Sequence, residues 1–143
     1  MQGLKWIHLF FISSLLVSLH SFASSDKPVK GRFVITQQGE EQLIDGSHES
    51  ITWFFNLDGN GNALLKISSW HAQFTCDGVY QVVQENKQLQ FIWKKDSNPH
   101  SACNTPPPQF IMKQDGKNKW QIKSELFPWG DGGWEDLKIS KNK

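Results

Sequence analysis

From Phe33 to Ile139 the apolar residues fall on alternate positions in short runs, and each run ends in turn formers. A period of two puts every second side chain on the same face of an extended chain, so this pattern selects half-buried strands over amphipathic helices. Phe33 and Ile35 begin it. Ile51, Trp53, Phe55 and Leu57 repeat it, and after Asp58-Gly59-Asn60-Gly61 it resumes at Ala63, Leu65 and Ile67. Asp-Gly and Asn-Gly tolerate the positive φ angles of tight hairpins, which makes 51–57 and 62–70 an antiparallel pair. A second hairpin joins Val79–Val83 to Leu89, Phe91 and Trp93 through Glu85-Asn86-Lys87. A third runs from Phe110–Met112 through Asp115-Gly116-Lys117 to Trp120, Ile122, Ser124 and Leu126. Trp134, Leu137 and Ile139 supply a last strand. About eight strands in one antiparallel meander can remove their exposed edges by closing into a small barrel, and a two-sheet sandwich is the alternative. Two breaker-rich stretches interrupt the pattern: 96–108, with Pro106, Pro107 and Pro108, and 127–133.

Ahead of this pattern stands a segment of another kind. Lys5 precedes an apolar stretch from Trp6 to Leu19, and Ser21 and Ala23 place small residues at −3 and −1 of a cut after Ala23. The stretch is too short to span a bilayer, for which about 20 residues are needed. The expected organisation is an export signal over 1–23 and one β-barrel domain over 24–143, delivered to the periplasm or secreted.

Export changes the charge balance and the reading of the cysteines. The chain carries 15 Lys and Arg against 14 Asp and Glu, and losing Lys5 makes the remainder formally neutral. Neutrality with a single arginine, Arg32, argues against nucleic acid as a partner. Cys76 and Cys103 are the only cysteines. An even count in an oxidising compartment points to a disulfide, worth about 3 to 4 kcal/mol for a loop of this length on the chain-entropy model.

Three segments, Lys30-Gly31-Arg32-Phe33, Ile51-Thr52-Trp53-Phe54-Phe55-Asn56-Leu57-Asp58-Gly59-Asn60-Gly61 and Gly78-Val79-Tyr80-Gln81-Val82, resemble the order of features in small bacterial lipocalin-like (calycin) barrels. Those barrels often begin with Gly-x-Trp, where this chain has Phe33, and carry a Phe-x-x-Asp-Gly-x-Gly hairpin. The resemblance covers 30–93 and implies the barrel rather than a particular ligand.

Few residues carry recognisable chemistry. Asp58, Asn60 and Asn62 match the first half of a calcium loop, but Ala63 and Ser69 stand where that loop needs Gly and a bidentate Glu. His48, His71 and His100 lack local metal-ligand spacing. Ser68-Ser69-Trp70-His71 with Asp77 contains the residue types of a hydrolytic triad without a nucleophile turn, and the adjacent acids Glu40-Glu41 and Glu135-Asp136 point to opposite faces if extended. The expectation is therefore a non-enzymatic domain with no cofactor.

Tryptophan is the unusual element. Trp53, Trp93 and Trp120 fall in phase with the buried faces of their strands. Trp70 ends a strand beside His71, while Trp129 and Trp134 flank the loop Gly130-Asp131-Gly132-Gly133. Aromatic rings on a glycine-rich loop either present apolar area to a ligand or fold back to plug the barrel. The candidate binding set is Trp70, Tyr80, Trp129, Asp131 and Trp134. It leads to a monomeric domain that takes a small apolar or aromatic-stacking ligand at an open mouth. The alternative is a protein-binding inhibitor or immunity factor directed at a cell-wall hydrolase or toxin, with a hydrolase third.

Overall fold

The structure, a computed structural model, describes residues 27–141. The expected export signal over 1–23 lies outside the described residues. The chain forms β1 (Lys30–Gln42), β2 (His48–Asp58), β3 (Asn62–Trp70), β4 (Gly78–Glu85), β5 (Gln88–Trp93), β6 (Phe110–Gln114), β7 (Trp120–Lys123), β8 (Glu135–Asp136) and β9 (Lys138–Ile139). Each strand from β1 to β8 pairs antiparallel with the next, except that β8 and β9 lie at opposite ends of the sheet order. Only Leu137 separates those two strands, so the ends are held together by the chain itself. Ile122 pairs with Glu135 on one side, and Phe33 pairs with Ile139 on the other. The result is a nearly closed all-β barrel. The single last strand expected over 134–139 is two short ones because the chain crosses there from β7 to β1, with Leu137 turned into the core.

The alternation read from the sequence sets the two faces of the wall. Phe33 and Ile35 of β1, Ile51, Trp53, Phe55 and Leu57 of β2, and Ala63 and Leu65 of β3 are all buried. Tyr80, Leu89, Phe91, Phe110, Met112 and Ile122 complete the interior from the other wall. Phe55 meets Phe110 edge-to-face at 5.0 Å and Phe91 at 5.5 Å, while Tyr80 meets Phe110 at 5.8 Å. Rings thus fill the axis where an open barrel would hold a ligand. Fully burying each such side chain stabilises by about 1.5 to 3 kcal/mol, an upper range because unfolded chains already bury some surface.

Up-and-down topology sorts the connections onto two ends. Residues 59–61, 86–87 and 115–119 make short reversals at one end, where Trp120 packs on Phe33 at 5.2 Å. Residues 43–47, 71–77, 94–109 and 124–134 connect strands at the other end. There Phe127 packs on Trp53 at 4.9 Å. Cys76 and Cys103 are bridged, tying the 71–77 connection to the 94–109 connection.

Candidate functional site

The long-loop end is held by three side-chain amides. Gln37, Asn98 and Gln109 are the buried polar residues among those described. The Nε2 of Gln37 donates to the Trp129 carbonyl at 2.7 Å, and its Oε1 accepts from the Trp129 N–H at 3.4 Å. Asn98 treats Val79 the same way, with Oδ1 accepting from its N–H and Nδ2 donating to its carbonyl, at 2.8 and 2.9 Å. Gln109 accepts from the Trp93 N–H and donates to the Thr105 carbonyl, both at 2.9 Å. A buried backbone group without a partner costs about 1 to 3 kcal/mol, so each amide supplies what a neighbouring strand would have supplied.

These locks decide where the candidate aromatics lie. Trp129 is half-buried against the core, and its indole lies flat on Gly39, where an added Cβ would sit 3.1 Å from the ring. Together with Phe127 it closes the barrel mouth, which is the plugging alternative for this loop. Trp70 is 51% exposed on the outer side of β3 and donates from Nε1 to the Ser47 hydroxyl at 3.2 Å. Trp134 is half-buried on the outer wall, with the Lys113 ammonium 4.1 Å from its ring centre. Asp131 is exposed, and its carboxylate accepts from the Gly133 N–H at 2.8 Å, which shapes its own loop. Tyr80 is fully buried and donates its hydroxyl to the Cys76 carbonyl. Burial raises its pKa far above the usual phenol range, with Asp77 adding to the effect. Trp70, Trp129 and Asp131 therefore share one end, Trp134 stands on the side wall, and Tyr80 belongs to the core.

The other candidate chemistries resolve into local structure. Asp58 accepts from the N–H groups of Asn60 at 2.6 Å and Asn62 at 3.1 Å, an Asx turn that caps the hairpin. His48 Nδ1 lies 2.9 Å from the Gly39 carbonyl, and His71 packs edge-on to Trp70 at 4.4 Å. The Asp77 carbonyl accepts from the Trp93 indole at 2.9 Å. Among the described residues, no three His, Cys, Asp or Glu side chains gather as a metal-binding group.

Two features escape the alternation pattern. Ile44 is fully exposed at the tip of the β1–β2 connection. Phe74 is 41% exposed in the 71–77 connection. The tip is bonded to itself: Leu43 donates to the Ser47 carbonyl at 2.7 Å, and the Asp45 carboxylate accepts from the Ser47 N–H and hydroxyl at 2.9 and 2.6 Å. Those two bonds, aided by His71, hold the Asp45 carboxyl below the ordinary carboxylate range. A readable signal was present in the sequence. Between Arg32 and Lys66 the chain contains Glu40, Glu41, Asp45, Glu49 and Asp58 but no Lys or Arg. Four of these five acids stand at or beside the long-loop end. Glu40, Glu41 and Glu49 line a groove of about 320 Å³ with Gly39, Leu43 and Trp129.

No family model, curated protein or solved structure matches this chain.

Proposed function

We propose that this chain is an exported, non-enzymatic binding domain of lipocalin-like architecture whose ligand is a basic protein, met by the long-loop end. The filled interior carries this reading. A barrel of this size either encloses a small ligand or fills itself with side chains, and here aromatic rings meet across the middle while Phe127 and Trp129 close the long-loop end, leaving a depression of about 560 Å³ at the short-turn end beside Leu89 and Trp120. The long-loop end then offers an outer surface held by buried amides. It presents Ile44, Trp70 and Phe74 as apolar contacts, and Glu40, Glu41, Asp45 and Glu49 as a run of acids with no Lys or Arg between them. Aromatic anchors beside like-signed charge suit a protein partner of opposite sign, because the charges steer the encounter and the rings hold the complex. A cationic cell-wall hydrolase fits that description, and the domain would act by covering its cleft.

The test is a titration of the purified protein into a panel of basic wall hydrolases, read by tryptophan emission and by residual hydrolase activity. A shift in emission with matching loss of activity, weakened at high salt and by Glu40→Gln with Glu41→Gln, is the expected outcome. An emission change with apolar small molecules and silence towards every hydrolase would reverse the reading in favour of a small ligand.

A further inference from the structure

The outer wall of β1, β2 and β3 carries a surface that a water-facing strand wall does not need. Val34, Phe54 and Leu64 form an apolar floor in a groove of about 460 Å³, and Phe54 and Leu64 are 43% and 38% exposed. Arg32 and Lys66 also line it, and no carboxylate among the described residues does. The strand registers explain the arrangement. Val34 stands opposite Lys138 on one side and Phe54 on the other, and Phe54 stands opposite Lys66. One row across four strands therefore reads Lys138, Val34, Phe54, Lys66, with a cation at each end and apolar side chains between. Neighbouring strands are about 4.8 Å apart, so the end cations are anchored about 14 Å from one another.

The same molecule carries the complement. At the β1–β2 tip, Ile44 projects into solvent with Glu41 before it and Asp45 after it, and no cation lies nearby in the sequence. Glu41 and Asp45 are four residues apart, so their Cα atoms are at most about 14 Å apart, and flexible Lys and Glu side chains adjust the remaining span. Hydrogen bonds within the 43–47 tip and from Trp70 fix its shape before any contact, which reduces the entropy cost of docking it.

We propose that the outer groove of β1–β3 receives the β1–β2 tip of a second copy of this chain, with Ile44 seated on Val34, Phe54 and Leu64 and its flanking carboxylates meeting Lys66 and the Arg32–Lys138 side. Tip and groove are different surfaces, so the contact is head-to-tail and propagates from copy to copy unless it closes into a ring. Each contact covers an acidic tip. The assembled form thus withholds part of the surface assigned above to a basic partner, and dissociation on dilution releases it.

The association is read by amide NMR shifts of the isotopically labelled protein in a dilution series from about 1 mM to about 20 µM, the range suited to a small, weak contact. The expected result is movement of two separate patches, 43–47 and the set Arg32, Val34, Phe54, Leu64 and Lys66. It should be suppressed by about 0.5 M salt, where charges more than a few Å apart are screened. Ile44→Ser disables the tip, and Lys66→Glu with Lys138→Glu disables the groove. Each variant alone should lose at least tenfold in self-affinity while keeping a folded spectrum, and an equimolar mixture should recover a one-to-one dimer that grows no further. Hydrolase binding by the groove variant should be unchanged, which separates this proposal from the functional reading. Dilution shifts that are absent, or confined to one patch as in a two-fold dimer, would overturn it. So would groove shifts that arise only on adding anionic phospholipid vesicles.

Discussion

The two ends of this barrel are built by different physics. At the short-turn end each reversal is decided by residues adjacent in sequence. Asp58 gathers the N–H groups of Asn60 and Asn62. Asp115 gathers those of Lys117 and Lys119 at 2.8 and 2.9 Å. Asn86 and Lys87 both adopt positive φ, as the mirror-image hairpin turn requires. At the long-loop end the strands stop unevenly, and outside the locally bonded 43–47 tip order comes from distant partners: Gln37 with Trp129, Asn98 with Val79, and Cys76 with Cys103. The difference teaches that a locked loop surface can be made without secondary structure when buried amides stand in for missing strands. It also places binding area on the end whose geometry is remote-controlled.

Several substitutions would break or sharpen this contrast. The largest effect is expected from replacing Cys76 and Cys103 together by Ser, which should cost about 3 to 4 kcal/mol by denaturant unfolding and raise hydrogen exchange in 71–77 and 94–109 but not at the short turns. Asn98→Ala leaves both polar groups of Val79 and the Lys94 carbonyl without their amide partner, and should cost about 2 to 3 kcal/mol. Gly78→Ala tests the same lock from the other side. Gly78 has φ +114°, and an added Cβ would collide with the Asn98 side chain, so its loss should be comparable.

Gln37→Ala comes next, at about 2 kcal/mol, and it should release Trp129 with a red-shifted emission. Asp58→Ala at the short-turn end should cost clearly less than either amide replacement and disturb nothing beyond its own hairpin. If Asp58→Ala were as damaging as Asn98→Ala, or spread as far, the distinction between the ends would collapse.

The smallest effect is on pH. Asp45, Asp58 and Asp115 all have carboxyls held below the ordinary range by hydrogen-bond donors: the hydroxyl and then the N–H of Ser47 for the first, the N–H groups of Asn60 and Asn62 for the second, and those of Lys119 and Lys117 for the third. A depressed folded-state pKa stabilises above the unfolded value of about 3.9 and is lost as pH falls through the folded value. Acid should therefore erode stability slightly from about pH 4 downward, and Asp58→Asn with Asp115→Asn should flatten that limb of the stability curve. All three groups are exposed, so solvent screening keeps the change small.

Much of the wall was legible in the sequence because its information is local. The alternation of Ile51, Trp53, Phe55 and Leu57 gives the buried face of β2 without reference to any other residue. The Asp58-Gly59-Asn60-Gly61 turn likewise gives the β2–β3 pairing. Trp53 proves fully buried, and Trp93 and Trp120 pack half-buried against the core. The loops gave no such phase. Tyr80 alternates as a buried residue does, and it lies in the core and not at the mouth with the other candidate aromatics. A turn tip has no period to violate, so alternation carries no signal for Ile44, and only the acidic run around it is legible.

By itself the sequence determined an all-β meander, its hairpins and the cysteines to be bridged, since strand faces and tight turns depend on residues two to four positions apart. Tertiary structure alone decided three things: that rings fill the axis, that β8 and β9 divide one segment between both edges, and that Trp129 closes the mouth while Trp70 and Ile44 face water. Those outcomes rest on hydrogen bonds such as Gln37 to Trp129, whose partners are brought together only when the wall curves round.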